Sequence, residues 1–153
     1  MNKHEFEQFL HEQIPITKAM EFNVEEFTPS KVKISAKLEP NKNDKSTAFG
    51  GSINSLMTIC GWAMVYINIK PVDPHAEIVI KECNIKYMAP INGDFTAECF
   101  LPDEESKITL FETYDKRKKA RLNLKVTCYS QDILSAELQG QYVAYKPKCY
   151  INL

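Results

Sequence analysis

Polar and apolar residues alternate without a fault from Lys31 to Leu38. Val32, Ile34, Ala36 and Leu38 lie on one side and Lys31, Lys33, Ser35 and Lys37 on the other, which predicts a half-exposed antiparallel strand. The same period of two returns twice near the C-terminus. Ala120, Leu122, Leu124, Val126 and Cys128 alternate with Arg121, Asn123, Lys125 and Thr127; after Ser130-Gln131-Asp132, Leu134, Ala136, Leu138 and Gly140 alternate with Ser135, Glu137 and Gln139. These last two strands form a hairpin. Between the alternating segments lies a run of another kind: Ser46 to Ile69 carries no charged side chain, although 25% of the chain is charged. From Ile53 to Ile67 its apolar residues leave almost no angular sector of a helix free, the pattern of a helix buried all round. Lys70-Pro71 ends it, because proline disfavours a helical conformation in the residue before it.

The remaining elements follow from spacing and turn chemistry. Phe6, Phe9, Leu10 and Ile14 recur at helical intervals over His4 to Ile14, with Asn2 as candidate N-cap and Pro15 as the stop. Phe22, Val24 and Phe27 alternate irregularly before the Pro29-Ser30 turn. Glu77 to Ala89 reads as a long strand, Pro90 to Asp94 as a tight turn because Asn-Gly supplies positive backbone angles, and Phe95 to Leu101 as the return strand. Over Pro102 to Lys119, acids stand first and bases last around Leu110, Phe111 and Tyr114, as suits a helix dipole.

The order is helix, two strands, one long buried helix, two strands, a short helix and two strands, an α+β pattern in a single domain over residues 1–153. An antiparallel sheet of about six strands hides an uncharged helix only by curling around it, since a flat layer leaves half of it wet. Either the sheet wraps the helix, or a second subunit covers it, or both.

Composition narrows the function classes. A net charge of −1 gives no global field for nucleic acid. Five cysteines stand singly with no CxxC pair, which implies reduced thiols in a cytoplasm, and the opening MNKHEFEQ has no hydrophobic signal region. The uncharged run is long enough for a membrane span, yet Ser46, Thr47, Ser52, Asn54, Ser55, Thr58 and Asn68 make it too polar for one standing alone. No His/Cys/Asp pair has metal-ligand spacing.

A buried helix inside a curled antiparallel sheet is the hotdog fold, and the segment from Glu39 to Trp62 resembles the putative thioesterase family named after the C-terminal domain of YiiD. Asn41, Asn43, Thr47, Phe49, Gly51, Ser52, Gly61 and Trp62 match its Asn-rich loop, its Thr-x-Phe-small-Gly-Ser start and the Gly-Trp of its helix. Tyr87 to Pro90 at a strand end and Lys118 to Arg121 at the start of the fifth strand also fit. In YiiD an acetyltransferase domain precedes the module; this chain looks like a stand-alone version. The resemblance implies acyl-CoA or acyl-carrier-protein substrates, a tunnel between subunits of a homodimer or dimer of dimers, and no cofactor beyond coenzyme A as part of the substrate.

Thioester hydrolysis needs a positioned water, a group to orient or deprotonate it, and donors for the oxyanion. Gly50 and Gly51 at the helix start offer free N–H groups that a carbonyl can approach, or simply permit a tight turn. Related thioesterases place a carboxylate in the loop before this helix or two turns into it; here the helix has none, and Thr58 stands seven residues after Gly51. Catalysis is therefore assigned to Gly51 with Asn43 and Thr58 positioning water, and substrate contacts to Asn41, Thr47, Phe49, Gly50 and Ser52. Asp44 is the only acid nearby. The histidines His4, His11 and His75 lie outside the buried helix, which disfavours a dehydratase. Arg117 and Lys118, in a basic run, either grip the phosphates of coenzyme A or complement a helix end. The missing carboxylate keeps a non-catalytic acyl-binding or interaction module as the alternative.

Overall fold

A computed structural model describes residues 1–148 of the chain; Cys149 lies outside the described residues. Helices α1 (Lys3–Gln13) and α2 (Ile16–Ala19) precede strands β1 (Phe22–Phe27) and β2 (Lys31–Ala36). The long helix α3 (Gly50–Ile69) follows, then β3 (Glu77–Tyr87), β4 (Phe95–Phe100), α4 (Glu104–Arg117), β5 (Lys119–Ser130) and β6 (Ile133–Tyr145). The six strands form one antiparallel sheet in the order β1-β2-β4-β5-β6-β3. This is the hotdog arrangement: α3 touches every strand of the sheet that curls around it. By length and composition α3 could cross a membrane, yet 61% of its most apolar window is buried inside this wrap.

Local signals act as their chemistry dictates. Asn2 closes a capping box with Glu5 at the start of α1. Asp103 caps α4 by accepting from the Ser106 N–H at 2.6 Å, and Lys118 ends that helix in the left-handed region (φ 51°). Gln131 and Asp132 both have positive φ, the signature of a type I′ turn, and they close the β5–β6 hairpin.

The expected β3–β4 hairpin is overturned. β3 pairs with β6 at the sheet edge, whereas β4 sits between β2 and β5. Gly93 does not have positive φ, so Asn92-Gly93 makes no hairpin turn, and the segment after Tyr87 carries the chain across to the far strands. Asp94 ends that crossing, its carboxylate accepting from the Leu38 N–H at 2.9 Å and from Lys37 Nζ at 3.0 Å.

The two sheet edges are treated differently. On β1, the Glu7 carboxylate of α1 accepts from the Val24 N–H at 2.6 Å, which blunts that edge. β3, 11 residues long, has β6 as its one strand neighbour among the described residues, its Ile78 carbonyl also accepts from Trp62 Nε1 at 3.0 Å, and Val79 and Tyr87 are exposed on it. The cover of α3 is also uneven. Phe6 and Phe9 of α1 pack against Trp62 and Tyr66, with ring centroids 5.3 to 6.5 Å apart, closing the C-terminal half of the helix. Towards the N-terminus, Gly51, Asn54, Ser55 and Thr58 stay partly open, so the sheet and α1 of one subunit do not by themselves bury the helix on all sides.

Candidate active site

Phe49 occupies the N-cap position of α3 in an extended conformation (φ −66°, ψ 132°), and its side chain has no acceptor for the helix start. The Ser52 and Ile53 N–H groups donate to the Phe49 carbonyl at 3.0 and 3.1 Å. Among the described residues the N–H groups of Gly50 and Gly51 therefore have no partner, and they lie at the positive end of a 20-residue helix dipole.

Two exposed aromatic rings flank these donors. The Tyr87 hydroxyl donates to the Gly50 carbonyl at 3.0 Å, with its ring 3.5 Å from where a Cβ on Gly50 would stand. Partial burial pushes this phenol above its ordinary pKa. The exposed Phe49 ring lies over the Gly51 Cα, in the space a Cβ there would take, so a side chain at this position would have to displace the ring. Beside the helix start lies a cavity of about 330 Å³ walled by Ala48, Ile53, Tyr87, Met88, Pro90 and Ile91, large enough for a small apolar group.

The half-open stripe of α3 continues from these donors. Thr58 Oγ1 donates to Asn54 Oδ1 at 3.3 Å, Asn54 Nδ2 has no partner among the described residues, and Ser55 Oγ donates to the Gly51 carbonyl at 2.8 Å. Behind the stripe, the Tyr142 hydroxyl holds the Thr58 carbonyl at 3.0 Å. Burial pushes the thiols of Cys99 and Cys128 up to about 12 and that of Cys60 well above its usual value, so these three stay protonated.

Residues 3–146 match the family described as putative thioesterase (yiiD_Cterm). The chain belongs to this family. It is similar over 94% of its length to 96% of a putative thioesterase from Shewanella oneidensis, at 29% identity and a TM-score of 0.83. A protein of unknown function from Chlorobaculum tepidum is 32% identical with a TM-score of 0.88, covering 95% of this chain and 94% of its own. A thioesterase from Haemophilus influenzae, at 9% identity, shares the fold with a TM-score of 0.74 over 98% of this chain and 95% of its own.

Of the residues singled out from this family's pattern, Phe49, Gly50, Gly51 and Thr58 come together along the start and open stripe of α3. Asn43 and Thr47 belong to the loop before it. Asn43 Nδ2 donates to Thr47 Oγ1 at 2.9 Å, and its Oδ1 accepts from the Lys45 and Thr47 N–H groups at 2.8 and 3.2 Å, so its amide is committed to closing that loop. Asn41 is 2% exposed. Its Nδ2 donates to the Met20 and Lys37 carbonyls, both at 2.7 Å, and its backbone carbonyl accepts from the Phe49 N–H at 2.7 Å; it pins the helix start to two earlier segments. Ser52 is buried in the first turn. Arg117 and Lys118 lie at the other end of β3 from Tyr87, and the structure does not bring them to this site within one subunit. The pattern passed over Asn54, although it stands three residues after Gly51 and four before Thr58, on one helix face.

Proposed function

We propose that the protein hydrolyses an acyl thioester at the N-terminus of α3. The observation that carries this reading is the pair of unpartnered N–H groups on Gly50 and Gly51, opening beside an apolar cavity in a chain of a putative thioesterase family. The thioester oxygen accepts from these donors while the acyl group enters the cavity. As water adds to the carbonyl, negative charge grows on that oxygen and the two N–H groups stabilise it; collapse breaks the C–S bond, the proton lost by the attacking water ends on the departing sulfur, and the products are the carboxylic acid and the thiol. Asn54 Nδ2 and the Thr58 hydroxyl orient the water or the thioester from the open stripe.

The proposed substrate is acyl-CoA and the proposed state a homodimer formed across the open edge of β3. The edge is self-complementary in charge. In antiparallel pairing about an axis at Lys81 and Glu82, Glu77 meets the partner's Lys86, Lys81 meets the partner's Glu82, and Ile78 meets the partner's Ile85. The bulge between Ile80 and Glu82 keeps Ile78, Ile80, Cys83 and Ile85 on one face, so this register matches inner with inner residues. The free thiols of Cys60, Cys83, Cys99 and Cys128 suit a reducing cytoplasm.

A second reading, a non-catalytic acyl-binding module, is favoured by one observation. Among the described residues, neither the cavity wall nor the open stripe contains a carboxylate or imidazole to take the proton from water. Thiol release from a panel of acyl-CoA and acyl-carrier-protein thioesters decides between them. Turnover above background supports hydrolysis; measurable binding without turnover for any acyl chain establishes the second reading.

A further inference from the structure

Tyr87 ends β3, and the chain leaves the sheet through Met88-Ala89-Pro90. This strand end is fastened on both sides. Tyr87 pairs with Ala136, and the N–H groups of Met88 and Ala89 donate to the Ser135 carbonyl at 2.8 and 3.2 Å. Further on, the Ile91 carbonyl accepts from the Ala48 N–H at 2.9 Å, which ties the segment to the chain just before α3 begins. These bonds carry the Tyr87 hydroxyl to the Gly50 carbonyl, to which it donates at 3.0 Å. Tyr87 is 53% exposed, so its ring adds little to the core, and partial burial keeps the phenol a protonated donor at neutral pH.

The Gly50 carbonyl and the Gly51 N–H are the two ends of one planar peptide unit. We propose that Tyr87 is a positioning residue for the oxyanion site: by donating to the Gly50 carbonyl it polarises and holds the Gly51 N–H that receives the thioester oxygen. The inference rests on the hydrolytic reading above. A carbonyl oxygen has two lone pairs; inside a helix one faces the N–H four residues on, and here the Tyr87 hydroxyl takes the other. Each bond draws electron density towards the oxygen and leaves the N–H of the same unit more positive, a strengthening of about 10–30% per bond. The unit lies between two glycines, which restrain a peptide plane least, so the hydroxyl also limits its rotation. One whole oxyanion donor is worth about a hundred- to a thousandfold in kcat, and 10–30% of that free energy is about a two- to eightfold effect. Because charge gathers on the thioester oxygen only along the reaction, the effect falls on kcat rather than on KM. A ring that merely packs would change stability alone.

The first measurement needs no turnover. Tyr87→Phe keeps the ring and removes the hydroxyl, so in isotope-labelled protein the Gly51 amide-nitrogen resonance should move upfield while that of Gly61, which packs on Tyr142, stays in place. Monofluoro- and difluorotyrosine at position 87, at a pH where each phenol is protonated, should move the Gly51 resonance downfield in order of hydroxyl acidity. These two replacements decide the matter if Tyr87→Phe does not fold. The second measurement is kinetic. With the acyl-CoA turned over fastest, kcat should fall about two- to eightfold in Tyr87→Phe and rise along the fluorinated series, with KM and melting temperature nearly unchanged. An unmoved Gly51 resonance, or a kcat indifferent to these changes, overturns the proposal while leaving the protein a thioesterase. If the wild type turns over no thioester, the hydrolytic reading falls, and the same series is read as Kd for an acetyl-CoA analogue with a methylene in place of the sulfur. Weaker binding by Tyr87→Phe and tighter binding along the fluorinated series keep the role of Tyr87 towards the Gly51 N–H; equal binding throughout overturns it.

Discussion

Tyr142 crosses the backbone of α3 at Gly61, and its hydroxyl donates to the Thr58 carbonyl at 3.0 Å. A Cβ on Gly61 would overlap the hydroxyl and ring of Tyr142, so the glycine is required by the close approach of β6. The contact ties the sheet to the turn of α3 that carries the Thr58 hydroxyl. Gly61→Ala should therefore destabilise the fold by about 1–3 kcal/mol through overpacking, read as a shift in urea midpoint. The same change in a Tyr142→Leu background should cost clearly less. Equal costs in both backgrounds would show that the two residues are not coupled.

The Gly50 donor can be removed without disturbing the backbone. Phe49 already has the extended conformation that a following proline demands, and Gly50 stands at the first helical position, where proline is tolerated. Gly50→Pro should leave the melting temperature within a few degrees. It should lower kcat about a hundredfold or more, the usual effect of losing one oxyanion donor. Unchanged kcat in a folded variant would take the Gly50 N–H out of the mechanism.

Asn54→Ala and Thr58→Val should each reduce kcat by about tenfold, corresponding to about 1.4 kcal/mol, with little change in thermal stability. Asn43→Ala should act differently, by loosening the loop from Asn43 to Thr47 that its side chain closes. Faster proteolysis in that loop is the measurement. Wild-type kinetics in both α3 variants would return the open stripe to a packing role.

Asn41 joins three segments while nearly fully buried, and its Oδ1 has no partner among the described residues. Asn41→Ala strands the Met20 and Lys37 carbonyls and should cost about 2–3 kcal/mol in equilibrium unfolding. A loss below about 0.5 kcal/mol would mean that these carbonyls find other partners.

Asp94 sets a pH dependence. The Leu38 N–H and Lys37 hold its carboxyl below the ordinary carboxylate range, against a smaller opposing effect of desolvation. Its folded value is thus lower than its unfolded one, so its contribution to stability is complete above about pH 4–5 and disappears as pH falls through the lowered folded value. The difference in urea midpoint between wild type and Asp94→Asn should be largest near neutrality and shrink on acidification. A difference independent of pH would exclude the carboxylate as its source.

Much of the fold was legible because periodicity reports which face of an element meets the core. Val32, Ile34 and Ala36 are buried in β2 as their alternation requires, and the Asn2 cap and the 130–132 turn formed where their chemistry predicted. The β3–β4 hairpin failed because alternation marks a strand without naming its neighbour, and the Asn92-Gly93 pair took negative φ inside a longer crossing. In the site, Gly50 and Gly51 were visible as glycines at the start of an uncharged helix. Asn54 was not, because one amide in an apolar helix looks the same whether it faces the core or an opening.

By itself, the chain's pattern determined that an uncharged helix had to be covered, by a curled antiparallel sheet, a second subunit or both, since charge and hydropathy are local properties with a strong solvation cost. Only the tertiary structure decided which stripe of that helix stays open, because α1 covers Trp62 and Tyr66 but stops short of Asn54 and Thr58. It also decided how far the basic residues stand from the helix start. That separation is set by the length and pairing of β3, a contact between segments distant in sequence that no local period records.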